Sequence, residues 1–119
     1  VQTAIVRDIE MRLLDRNNMY NVDICLDIAN EYLDAYAGKI RAENEITYIQ
    51  VELRAGRLEM VELMQMTLLD LQTKGIIYGG YLLSKKTLDK SLENAEADLK
   101  MFLSELDGLF HQLQNAGCL

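Results

Sequence analysis

Between Ser84 and Asn115 the apolar residues Leu88, Leu92, Ala95, Leu99, Phe102, Leu106, Leu109 and Leu113 follow one another in alternating steps of four and three. On a helix of about 3.6 residues per turn that spacing keeps all eight on one face, whereas a strand would scatter them over both. Leu103 and Phe110 lie beside the seam and make the face broader than a two-stranded coiled coil needs, which suits the interior of a helical bundle. The chain has no proline, so nothing in this stretch forces the helix to stop. The fold class expected is therefore all-α.

With 119 residues the chain forms one domain, residues 1–119, able to bury roughly two thirds of the surface its unfolded form exposes without a staple. The net charge is −7, and it is spread along the sequence. Residues 1–40 hold seven acids and four bases, residues 41–83 six and four, and residues 84–119 six and four. There is no acidic tail, and no basic stripe to neutralise phosphates, so nucleic acid is not an expected partner. No run approaches the ~18 apolar residues of a membrane span, and membrane contact is not expected either. Arg7, Asp8, Glu10, Arg12 and Asp15 exclude a retained signal peptide in the first twenty residues. Cys25 and Cys118 stand in no metal-binding or redox spacing, and a reducing cytoplasm is the compartment expected. Because the sequence starts at Val1, a secreted or virion-associated origin stays open.

Taken in order, Ile5, Ile9 and Leu13 mark a short amphipathic helix over about 1–16. Asn17, Asn18 and Asn21 favour caps and turns, and Asp23 is placed to open a second helix over about 22–41. That helix carries the stripe Val22, Leu26, Ala29, Leu33, Tyr36, Ile40, flanked by Cys25 and Tyr32. The next stripe is Ala42, Ile46, Ile49, Leu53, Gly56, Met60, and the six-residue step from Ile40 to Ile46 turns the apolar face by roughly 120°. The spacing predicts a break near Glu43 and Asn44, with Asn44 as cap and a third helix over about 45–74; one continuous helix is the alternative. The alternation in Ile46, Tyr48, Val51 and Leu53 resembles a strand but sits inside a longer helical pattern.

The segment Gly75 to Leu83 is rich in large apolar residues and broken by Gly79 and Gly80. The glycines permit a sharp reversal, so the segment is expected to form the tip of a helical hairpin, with Ser84 capping the fourth helix at about 84–115. The fold expected is a helical bundle dominated by that long antiparallel hairpin. Loops normally face water, yet leaving this one solvated would expose several side chains each worth roughly 1.5–3 kcal/mol when buried. The segment is expected to tuck under the domain's own helices, to dock into a neighbouring copy or partner, or to touch a membrane surface; the second alternative makes Ile76, Ile77, Tyr78, Tyr81, Leu82 and Leu83 candidate partner-binding residues. Met64, Met66 and Leu69, from a stretch apolar around most of its circumference, join them.

Signs of catalysis are sparse. His111 and Asp107 form an i, i+4 pair, but the Glu-x-x-His pairs of carboxylate-bridged di-iron bundles are missing, and no metal or other cofactor is expected. No nucleophile elbow, phosphate-binding loop or dinucleotide fingerprint occurs. Arg54 and Arg57, one turn apart, are the residues to examine for an anion site. The opening Arg7, Asp8, Ile9, Leu13, Leu14 and Arg16 is similar to the first helix of the chorismate mutases, compact helical enzymes that use arginines and carboxylates in a bundle cleft. That resemblance stops within the first sixteen residues, and no later motif extends it.

The function expected from these features is that of a non-catalytic, acidic, structural or assembly protein. It would self-associate, or bind a partner protein, through coiled-coil-like helix faces, with a homo-oligomer as the expected form. A small acidic helical regulator that sequesters one target, such as an inhibitor or secretion chaperone, is the second expectation, and a compact helical enzyme the third.

Overall fold

A computed structural model of the chain describes Ala4, Arg7 and residues 19–119. Two long helices, α1 (Met19–Gln65, 47 residues) and α2 (Leu71–Asn115, 45 residues), form a helical hairpin, with no strand among the described residues. The all-α expectation holds. The expected first helix, 1–16, falls outside the described residues but for Ala4 and Arg7, which are helical and exposed. α1 is already helical at Met19, so Asn21 and Asp23 lie within it and Asp23 does not cap it.

The break expected at Glu43 and Asn44 does not occur; the second and third expected helices are one. The expected stripe passes through the large residues Tyr36 and Ile40, but the buried positions are Ala35, Gly38 and Ala42, followed by Ile49. These small residues carry the seam past the phase change in steps of three and four, and Ile40 is left exposed. The Thr47 hydroxyl donates to the Glu43 carbonyl at 3.0 Å, a local bond compatible with an unbroken helix.

The hairpin tip is also displaced from its expected place. Gly75 to Leu83 is helical, and the chain reverses at Met66–Asp70 instead. Glycine in a helix interior costs about 1 kcal/mol relative to alanine, too little to end a helix whose start is well capped. The cap is Asp70: the Thr73 N–H donates to its Oδ1 at 2.7 Å, while the Lys74 N–H donates to its carbonyl at 3.0 Å. The Lys74 ammonium also reaches back to the Met64 carbonyl at 3.0 Å, placing a cation at the carbonyl end of α1. Ser84 is thus an exposed residue inside α2, and it caps nothing.

The chain divides into two compact units, one made of residues up to Arg41 with Asp98–Leu119, the other of Ala42–Ala97. In the first, Cys25, Ala29, Leu113 and Cys118 form a closed cluster with Val22, Ile28, Ala116 and Leu119 packed around it. A second cluster joins Ala35, Leu106 and Leu109 to Ile28, Tyr32 and Tyr36. The Phe102 ring covers Gly38 so closely that a Cβ there would collide with it.

Cys25 and Cys118 are disulfide-bonded, 93 residues apart in sequence, with 5.8 Å between their Cα atoms. The end of α2 makes this possible. Gly117 takes a left-handed φ of 77°, its N–H donates to the Gln114 carbonyl at 3.1 Å, and the Cys118 N–H donates to the Leu113 carbonyl at 2.9 Å. This Schellman turn folds Cys118 back over Leu113 and toward α1. α2 thus ends at Asn115, the end expected for the last helix.

The second unit has a thinner interior. Ala42, Ile49, Met60 and Ala95 are buried, while Ile46, Leu53, Leu63, Ile77, Tyr81, Leu88 and Leu92 are half-buried. Two helices offer each other one seam, and any apolar residue off that seam has no neighbour to cover it.

Candidate interaction surface

The nine candidate residues fall on two sides of the second unit. Ile77 and Tyr81 are half-buried on the seam, and the Tyr81 ring lies over Gly56, 3.7 Å from where a Cβ would stand. Met64 and Leu69 are half-buried near the turn. Ile76 and Leu83 face outward at 70% and 71% exposure, and Tyr78, Leu82 and Met66 are exposed as well. Tyr78 leans toward Tyr81, their ring centroids 6.2 Å apart. At the reversal Leu68 and Leu71, from the same stretch apolar around most of its circumference, are 99% and 88% exposed.

Helical geometry sorts the α2 residues into a row. Ile76, Gly79, Leu83, Lys86 and Lys90 succeed one another in steps of three and four, and all are exposed. The row begins apolar and ends basic. Gly75, Gly79 and Gly80 have open space where a Cβ would stand, so packing within the chain does not account for them.

A matching stripe on α1 was missed. Tyr48, Val51, Ala55 and Leu58 are exposed and spaced three, four and three, on the side of α1 away from Ile46, Ile49, Leu53 and Met60. The apparent strand alternation around Tyr48 and Val51 was this second stripe superimposed on the seam: one helix, two apolar faces. Beside it Glu45, Glu52 and Glu59 recur every seventh residue, forming an exposed acidic row.

The charge that looks even along the chain is sorted between the helices of this unit. Residues 42–65 hold five acids, Glu43, Glu45, Glu52, Glu59 and Glu62, against Arg54 and Arg57. Residues 71–97 hold four lysines, at 74, 85, 86 and 90, against Asp89, Glu93 and Glu96, and the lysines precede the last two acids.

Other concave places offer less. In the first unit an open cleft of about 530 Å³ has Ala35, Phe102 and Leu109 on its floor and Glu31, Asp34 and Glu105 at its rim. Among the described residues no group of His, Cys, Asp and Glu could hold a metal ion. His111 is exposed, its Nδ1 2.8 Å from the Asp107 carbonyl and 3.7 Å from the Asp107 carboxylate. Arg54 and Arg57 share a groove of about 340 Å³ with Leu53, Tyr81, Lys85 and Asp89. The Lys85 ammonium there donates to Asp89 at 2.9 Å. That hydrogen bond, then the charge of Asp89, raises the lysine above its ordinary pKa. The Asp89 carboxylate supplies the negative charge that an anion would bring.

The geometry defines a helical hairpin with large apolar rows facing outward on both helices of one unit. No described helix is long and apolar enough to cross a membrane. Comparison with family models, curated proteins and solved structures finds no match to the chain.

Proposed function

We propose that the chain is a non-catalytic assembly module that associates with itself, or with another protein, through the outward apolar faces of residues 42–97. The carrying observation is the exposure of Ile76 and Leu83 on a well-formed helix, with Leu68 and Leu71 uncovered at the reversal. Isolated surface leucines are ordinary, but a row of them at helical spacing is what a partner helix covers. The buried disulfide supports folding in an oxidising compartment and favours the secreted or virion-associated origin over the cytoplasm.

Sedimentation velocity over a concentration series, with wild type beside the double variant Ile76→Asp and Leu83→Asp, tests the reading. Both positions are exposed, so the variant keeps its helical circular dichroism and its disulfide while losing association. A wild-type chain that sediments as a monomer throughout and captures no protein overturns the reading.

A further inference from the structure

The two outward rows of the second unit differ in a way that names their partner. On α1 the apolar stripe Tyr48, Val51, Ala55, Leu58 runs beside Glu45, Glu52 and Glu59; none of these three glutamates is in an ion pair among the described residues. On α2 the row starts with Ile76, Gly79 and Leu83 and continues into Lys86 and Lys90. Lys86 has no ion-pair partner among the described residues, and Lys90 stands a loose 3.6 Å from Glu93 with both side chains mostly exposed. Two other lysines are already engaged, Lys74 by the Met64 carbonyl and Lys85 by Asp89. What remains is an acidic apolar stripe on one helix and a basic apolar row on the other.

The stripe and the row do not meet within one molecule: where Glu52, Ala55 and Glu59 edge a groove beside the seam, the α2 residues across it are Ile77, Gly80, Tyr81, Ser84 and Leu88, not Lys86 or Lys90. We infer that they meet between molecules: the α1 stripe of one copy packs against the α2 row of a second copy of this chain. This rests on the assembly reading above and narrows it. Apolar burial supplies the attraction, while pairing Glu52 and Glu59 with Lys86 and Lys90 sets the choice of partner face. Like faces repel, since stripe against stripe brings glutamates together and row against row brings lysines together. The contact joins two different patches, so each molecule keeps one free patch of each kind and the assembly grows head to tail into a ring or a filament.

Charge exchange tests this on the full oxidised chain. One variant carries Glu52→Lys and Glu59→Lys, the other Lys86→Glu and Lys90→Glu, and each is examined alone and in equimolar mixture by sedimentation velocity. Each alone presents two faces of one sign and associates at least about tenfold more weakly than wild type; the mixture restores both junctions to within about threefold. Wild-type association weakens between about 0.05 and 0.5 M salt as screening shortens. Should a reversal disturb the helical circular dichroism, the Gln substitutions at the same four positions replace it, weakening association and flattening its salt dependence. Variants that assemble as wild type does, or a mixture that stays apart, overturn the inference and leave the broader reading standing. A wild type that never associates overturns the inference, and the broader reading too if the chain also captures no partner.

Discussion

Cys118 is delivered to Cys25 by a left-handed glycine: the turn at Gly117 folds the chain end over Leu113, and both cysteines are sealed from solvent beside Ala29. The bond closes a loop of more than ninety residues around the hairpin. Replacing both cysteines by serine is expected to cost about 2–5 kcal/mol of unfolding free energy, read from urea denaturation of dilute oxidised wild type and variant. Gly117→Ala, with the disulfide intact, is expected to cost about 1–2 kcal/mol, because a Cβ strains the left-handed conformation.

Two helical glycines should respond to alanine with opposite signs. Gly79 has nothing near it, so Gly79→Ala gains helix propensity and raises stability by about 0.5–1 kcal/mol. At Gly38 the same gain is outweighed by the collision with the Phe102 ring, and Gly38→Ala lowers stability by a net ~1 kcal/mol. Combining Gly38→Ala with Phe102→Leu relieves the collision and recovers part of the loss. Thermal unfolding of the four proteins at one low concentration checks the pattern.

The parts of the fold that were legible in the sequence are those where large apolar residues repeat at helical spacing. Ala42, Ile46, Ile49, Leu53, Gly56 and Met60, and then Leu88 to Leu113, are the seam found. What misled was size. Ala35 and Gly38 carry the seam because they let the other helix close in, yet they register weakly in an apolar count, and the spacing of the larger residues suggests a break where the helix is continuous. Gly75, Gly79 and Gly80 suggested a reversal because three glycines punctuate most chains. The quieter signal, a single Asp70 three residues before Thr73, decides where the helix starts. Among the site residues, Ile76, Tyr78, Leu82 and Leu83 were found for a mistaken reason, as a loop tip; they are exposed because a two-helix unit has only one seam. The α1 stripe of Tyr48, Val51 and Leu58 was hidden because it interleaves with the seam residues of the same helix.

Asp70 gives the start of α2 a dependence on pH. The Thr73 amide, then its hydroxyl, hold the carboxyl below the usual range against a smaller opposing effect of desolvation, and the Gln72 amide adds to them. A folded-state pKa that is depressed contributes stability above the unfolded value, and that contribution is lost as pH falls through the folded one. Acidification into the range below the ordinary carboxylate pKa should therefore speed hydrogen exchange at the Thr73 amide before the rest of α2 responds. Asp70→Asn keeps an acceptor oxygen for the cap but removes the titration, so its exchange at Thr73 should show no such acid step; NMR-detected exchange reads both.

Ile76 and Ile77 are neighbours in sequence and opposites in role, which makes them the sharpest check on the placement of the turn. Had Gly75 to Leu83 been a loop, aspartate at either position would have had a similar effect. In a continuous helix the two side chains point about 100° apart, Ile76 to solvent and Ile77 toward Met60 and Leu63 across a shared groove. Ile77→Asp is expected to destabilise the protein by about 2–4 kcal/mol, since it brings a carboxylate to an apolar seam. Ile76→Asp should stay within about 0.5 kcal/mol of wild type in dilute solution, where no neighbour covers it. At concentrations where the wild type associates the comparison inverts in kind: Ile76→Asp leaves a folded chain that no longer assembles, whereas Ile77→Asp loses assembly only as far as it loses the fold. Denaturation of dilute protein, paired with sedimentation of concentrated protein, separates the two, and equal unfolding midpoints for the variants would return the turn to the glycines.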